Sequence, residues 1–148
     1  MKKTFFILFL ILNLVSCVST KSTLQNVDNN AEKPKIINNA FVITEKTADL
    51  RYGYNKDYPI NLGFDNEYNS AKNIELFFNG LAGENNEKIM YQKVDDCCPF
   101  PTVRSAMGAG MLVVYEVFTK GNRDKKRLYF NIFDKGKIVC PAGFYIKK

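Results

Sequence analysis

Histidine and tryptophan are absent from this 148-residue chain. Without an imidazole there is no Ser-His-Asp or Cys-His nucleophile pair, no His-bound zinc or iron, and no side chain that ordinarily shuttles protons near neutral pH. Most hydrolase mechanisms are closed by that omission. Long apolar runs are also missing. The longest, Thr4 to Val15, holds about a dozen mostly apolar residues where a spanning helix needs about 20, and Asn13 interrupts its end. Charge of one sign is not concentrated enough to imply a polyanion, with 21 Lys+Arg against 15 Asp+Glu, and with no recognition motif nucleic acid is not an expected partner. The glycines Gly108 and Gly110 lack the GxxxxGK[ST] order and precede a strand, so no nucleotide or other cofactor is indicated. Glycosidase chemistry needs only two carboxylates. Asp57, Asp65, Glu67, Asp95, Asp96, Glu116 and Asp134 are available, but no spacing singles out a pair, and no catalytic or metal-ligating residue is assigned.

The first seventeen residues are the most specific signal present. Lys2 and Lys3 give a positive start, Phe5 to Leu12 are unbroken apolar, and Leu14-Val15-Ser16-Cys17 places a small residue directly before a cysteine. These residues resemble the lipobox of bacterial lipoprotein signals. The resemblance implies cleavage before Cys17, a diacylglycerol thioether on Cys17 and acylation, typically by palmitate, of the new amino terminus. Each buried methylene of such chains contributes about 0.8 kcal/mol, and two or more chains hold a protein durably. Val18, standing where Asp would signal inner-membrane retention, implies by the same resemblance the outer membrane, facing the periplasm.

Removal of residues 1–16 takes Lys2 and Lys3 with it and lowers the formal charge from +6 to +4. Residues 17–39 then read as the lipidated cysteine and a flexible tether, because Ser, Thr, Asn, Lys and Gln dominate and little apolar surface offsets ordering entropy. Residues 40–148 read as one domain, long enough to close a core unaided. Phe41 and Ile43 suggest a first strand, and Ile60 and Leu62 a short one ending at Gly63. Ile74, Phe77, Phe78 and Leu81 recur at i, i+3, i+4 and i+7 behind Ser70, which predicts a helix over residues 70–82 stopped near Gly83. Lys88 to Val94 reads as a strand with Ile89, Tyr91 and Lys93 on one side, and residues 95–110 as irregular. Met111 to Phe118 and Arg127 to Phe133 predict a long antiparallel hairpin around the basic loop Lys120, Arg123, Lys125, Lys126 and Arg127, a patch read as a solvated tip. Ile138 to Cys140 adds a short strand. The expected fold is α+β, an antiparallel sheet of four to five strands with one helix packed on a face.

Asp95-Asp96-Cys97-Cys98-Pro99-Phe100-Pro101 is the oddest local chemistry. With Cys140 it supplies three thiols for a compartment in which pairing is expected. Either Cys97 or Cys98 joins Cys140, or the neighbours pair with each other and Cys140 stays buried. A redox role would have to use CC spacing in place of CxxC, with no helix start directly behind to favour a thiolate. Metal binding is disfavoured because consecutive side chains of an extended strand point to opposite sides.

Tyr52-Gly53-Tyr54, Tyr58-Pro59-Ile60-Asn61-Leu62-Gly63, Cys97-Cys98-Pro99-Phe100, Tyr115-Glu116-Val117 and Pro141-Ala142-Gly143-Phe144 together resemble a group of small uncharacterised lipoproteins of Gram-negative bacteria. Some members are labelled 2-dehydro-3-deoxyphosphooctonate aldolase. A (β/α)₈ barrel takes about 250 residues, and the resemblance carries over no catalytic residue. The expected function is a non-catalytic, lipid-anchored envelope module that binds a protein or a glycan, with Tyr52, Tyr54 and Tyr58 as contact candidates because Tyr favours interfaces. The alternative is an enzyme, either thiol-redox or carbohydrate-active.

Overall fold

The structure, a computed structural model, describes residues 21–66, 69–121 and 124–148. The signal segment 1–16, Cys17, Glu67 and Arg123 lie outside the described residues. In chain order the elements are β1 (Ile36–Ile37), β2 (Ala40–Phe41), β3 (Ile60–Asn61), α1 (Ser70–Asn79), β4 (Leu81–Ala82), β5 (Ile89–Pro101), β6 (Ala109–Thr119), β7 (Lys126–Asn131) and β8 (Tyr145–Ile146). The fold is α+β. Its main sheet has four strands in the order β3-β7-β6-β5, and β1-β2 and β4-β8 form two small ribbons. Among the described residues no helix is long and apolar enough to cross a membrane.

The pairs β5-β6 and β6-β7 are antiparallel, whereas β3 lies parallel to β7 through Ile60↔Phe130 and Asn61↔Asn131. The expectation of an antiparallel sheet is therefore corrected to a mixed one. Helix α1 and three strands intervene between β3 and β7, a crossover long enough to bring the chain back in the same direction.

Helix α1 buries Ile74, Leu76, Phe77 and Phe78 on one face of that sheet. Phe77 meets Phe130 at 5.7 Å, and Phe78 meets Phe130 at 5.4 Å and Tyr115 at 5.7 Å between ring centroids. Each such side chain contributes about 1.5–3 kcal/mol on burial. The helix stops at Asn79, three residues short of the expected end; Gly80 caps it, and a Cβ there would stand 2.6 Å from the Phe41 carbonyl oxygen, so β2 can pass this close only to a glycine. Leu81 stays buried, but as part of β4.

Of the segment 95–110 expected to be irregular, residues 102–108 are a loop, but β6 begins at 109 and strand β5 continues through 95–101. Its register shifts between Lys93 and Asp95 and again between Cys97 and Pro99, so Val94 and Cys98 are extra residues in two bulges. β5 is an edge strand, where prolines lacking an N–H cost no ladder bond, and bulges and charges deter further pairing. Gly110 faces Phe100 across the ladder, and a Cβ there would lie 2.6 Å from the Phe133 ring. The expected strand at Ile138–Cys140 is reduced to a single bridge between Lys46 and Cys140.

The tether expected through residue 39 is instead built into the body from Leu24 onward. Leu24 and Val27 pack with Phe100, Leu112, Tyr129 and Phe133 on the face of the sheet away from α1. Gln25 donates its backbone N–H to Asp57 O, and Asp28 to Lys135 O.

A buried polar node ties these layers together. Asn131 Nδ2 donates to Asn61 Oδ1 (2.9 Å) and Asp134 Oδ2 (3.2 Å), while its Oδ1 accepts the N–H groups of Phe133 and Asp134. Asp134 Oδ1 also accepts from Thr102 Oγ1 at 2.9 Å and Asn29 Nδ2 at 3.4 Å. Truncating one member leaves several buried groups unpaired, which costs about 1–3 kcal/mol per group. Asn131→Ala should therefore destabilise the protein by about 2–4 kcal/mol, read as a lower urea midpoint with an unchanged slope, whereas Asn30→Ala, on the exposed turn, should leave the midpoint within experimental error.

Candidate functional site

A groove of about 810 Å³ opens between the β1-β2 turn, α1, the β4-β5 turn and the C-terminal residues. Its rim begins at Asn38 and Asn39, whose φ values of 51° and 57° make the two-residue inverse turn that joins β1 to β2. That turn is fastened to α1. Asn39 Nδ2 donates to Glu75 Oε1 (3.0 Å), Lys72 Nζ donates to Asn39 Oδ1 (2.7 Å), and Asn79 Nδ2 donates to Asn39 O (2.9 Å). On the opposite rim, Glu87 Oε2 accepts the Asn85 N–H at 2.8 Å and Oε1 accepts Asn85 Nδ2 at 3.1 Å. Phe78, Leu81 and Ile89 lie buried along the groove. Tyr91 stacks on Phe78 at 4.1 Å and 16° and keeps part of its ring exposed.

The electrostatics of this groove limit its chemistry. Glu75 is held below the usual carboxylate range by the amide of Asn39, with the Lys72 ammonium next in effect. Hydrogen bonds from its own backbone and from Asn85 do the same for Glu87. Both acids are anions near neutral pH, so neither supplies the raised-pKa proton donor that glycoside cleavage requires. Asn38, Asn86 and the Lys147 ammonium also line the groove, and none of the three makes a side-chain hydrogen bond or ion pair with the described residues. Free amides, two carboxylates, an ammonium and an aromatic ring above an apolar floor suit reversible binding of a hydroxyl-rich molecule.

The tyrosines picked from the sequence lie outside this groove. Tyr52 is 3% exposed, accepts the Val139 N–H and donates to Lys137 O. Tyr54 donates to Ala142 O, and Tyr58 packs edge-on against Tyr52 at 6.1 Å with the Arg51 guanidinium 5.2 Å from its ring centroid. Tyr52 and Tyr54 thereby tie the 51–58 turns to the chain around residues 137–142. Tyr91, the ring that does reach the groove, was legible only as one of several strand residues, and the signal for the opposite rim was Asn38-Asn39 between two short apolar pairs.

Cys97 and Cys98 are bonded to each other, and Cys140 is a free, buried thiol. Cys140 is thus corrected as a disulfide partner. It belongs to the α1-side core with Tyr52, whereas Cys98 packs against the opposite cluster of Leu24, Phe100 and Leu112. Cys98 takes a positive φ of 59° at its bulge. Of the seven acids named from the sequence, Asp134 is in the buried node and Asp65 pairs with Lys33 and accepts from Asn73. Glu116 is bracketed by Lys125 and Arg127, and Asp96 by Lys93. None of these lines the groove. Among the described residues no cluster of three or more His, Cys, Asp or Glu could hold a metal ion.

No family model, curated protein or solved structure matches the chain.

Burial gives Cys140 and Tyr54 a testable signature. The Cys140 thiol is pushed up from 9.0 to about 11 by burial, against the opposing charge of Lys46. Burial, with a smaller contribution from Cys140, lifts Tyr54 from 10.0 to about 12. Both groups are neutral when protonated, and the fold favours that form. Their contribution is complete below the unfolded values and is lost as pH rises through the folded ones. The thermal midpoint should hold level up to about pH 9 and fall between pH 9 and about 12. In Cys140→Ala the part of the fall between pH 9 and 11 should be shallower.

Proposed function

We propose that the chain is a lipid-anchored protein of the cell envelope, held through Cys17 at the outer membrane and facing the periplasm, whose domain is a non-catalytic module that binds a glycan in the α1-β5 groove. The supporting observation is the pairing of two ionised carboxylates, Glu75 and Glu87, with uncommitted amides and the part-exposed Tyr91 ring. Sugars present many hydroxyls and an apolar face. The rim offers acceptors and donors for the first, and an aromatic such as Tyr91 serves the second. The anchor is supported by the lipobox residues and by the resemblance to small Gram-negative lipoproteins with a CCPF segment.

The enzyme reading with a specific observation behind it is thiol exchange at Cys97-Cys98, a part-exposed pair on an edge strand. Reduction by a protein dithiol would leave two thiols here and a disulfide on the donor. Against it, the residues directly before the pair are Asp95 and Asp96, and a thiolate is stabilised by positive surroundings.

The detergent-solubilised lipoprotein should bind immobilised peptidoglycan or lipopolysaccharide oligosaccharides, and Glu75→Gln and Tyr91→Ala should each weaken that binding by about tenfold, or about 1.4 kcal/mol. Binding unaffected by both substitutions, or absent from the unaltered protein, refutes the groove as a glycan site.

A further inference from the structure

Among the described residues, three large apolar side chains are the most open to solvent: Met107 at 90%, Leu50 at 75% and Val103 at 70%. Two of them share the loop of residues 102–108 that joins β5 to β6. This loop is not a frayed end. Thr102 N–H donates to Gly108 O and Gly108 N–H to Ser105 O, and Gly108 takes the φ of +72° that the turn requires. Thr102 is pinned to the buried Asp134, and Arg104 reaches back to Phe133 O at 2.6 Å and Gly63 O at 2.8 Å. A well-fastened tip thus holds Val103 and Met107 in water, where apolar side chains gain nothing.

The chain's amino-terminal side arrives at the same place. Lys21, Leu24, Val27, Thr102, Val103 and Asp134 line one cavity. Cys17 lies four residues before Lys21 in sequence, and four residues reach at most about 14 Å however they are arranged. A lipid on Cys17 therefore holds the bilayer surface within reach of this loop.

We propose that the 102–108 tip, through Val103 and Met107, inserts into the surface of the phospholipid leaflet that carries the chain's own lipid, and so fixes the domain end-on to the membrane. The inference rests on the anchor at Cys17. A single exposed apolar residue is ordinary. Two on one rigid tip beside the tethering point are placed to enter the headgroup boundary, as peripheral membrane segments do. The far end of the same ladder is about 35 Å away, at eleven paired positions of roughly 3.3 Å each. That far end carries the basic loop with Lys120 and Lys125, together with the β4-β5 rim of the groove. Anchorage and ligand binding thus occupy opposite ends of β5.

A polarity-sensitive maleimide probe tests the arrangement in the full-length lipoprotein, reconstituted into vesicles of phosphatidylethanolamine and phosphatidylglycerol. Cys17 is blocked by its thioether, Cys97 and Cys98 are bonded together and Cys140 is buried, so Met107→Cys and Lys120→Cys are each labelled at one place. The probe at 107 should shift to the blue and be quenched several-fold more by spin-labelled lipid than the probe at 120, and adding Val103→Asp should abolish most of that difference. Mass analysis of the same sample reads the lipid on Cys17. If Cys17 carries lipid and the two probes are equally aqueous, the proposal is overturned and the anchor stands. If Cys17 carries none, the anchor reading falls and the proposal falls with it.

Discussion

One buried side chain, Asn131, sits where segments distant in sequence must meet, and its amide is satisfied only when they do. Its four hydrogen bonds reach Asn61, Phe133 and Asp134, and Asp134 passes the connection to Thr102 and Asn29. A half-made set of buried polar contacts is worse than none, since each orphan carries its full desolvation cost. The start of the body, the parallel strand β3, the loop after β5 and the chain leaving β7 thus all meet at this node. The apolar layers could tolerate some sliding. The node cannot, and it sets the register in which β3 meets β7 and the position at which the 102–108 loop is held.

Where local pattern governs, the sequence was legible. Ile74, Phe77 and Phe78 recur at helical spacing and lie buried on one face of α1, and the apolar runs around the basic loop become the paired β6 and β7. The second half of β5 was hidden by parity. Phe118 and Glu116 lie opposite Met90 and Gln92, Val114 and Leu112 opposite Asp95 and Cys97, and Gly110 opposite Phe100. The residues sharing one face therefore run even, then odd, then even, because Val94 and Cys98 each add one residue. No period-2 reading survives two such steps, and Pro99 and Pro101 look like breakers to anyone who does not know the strand is at an edge.

Residues 24–39 misled for a different reason. Their composition is that of solvated chain, yet Asn26 and Asn29 place their amides against Pro59 O and Asp134, and Leu24 adds apolar cover. Polar side chains that satisfy buried backbone are indistinguishable by composition from polar side chains in water. The groove suffered the same blindness, as its Asn38-Asn39 rim fell inside that stretch. Tyr52, Tyr54 and Tyr58 resemble a contact surface because they are aromatic residues beside turns, but the hydrogen-bond partners of Tyr52 and Tyr54 around residues 137–142 are 85 to 88 positions on and leave no local trace.

The ring closed by Cys97 and Cys98 bears on how this body assembles. Its ends are adjacent residues, so the crosslink encloses no length of chain and removes almost none of the freedom of the unfolded ensemble, the quantity through which long-range disulfides act. The two hydrophobic layers and the amide node must therefore suffice on their own. Assembly of this body need not wait on an oxidising enzyme, and the sulfur pair can change state without unstapling anything.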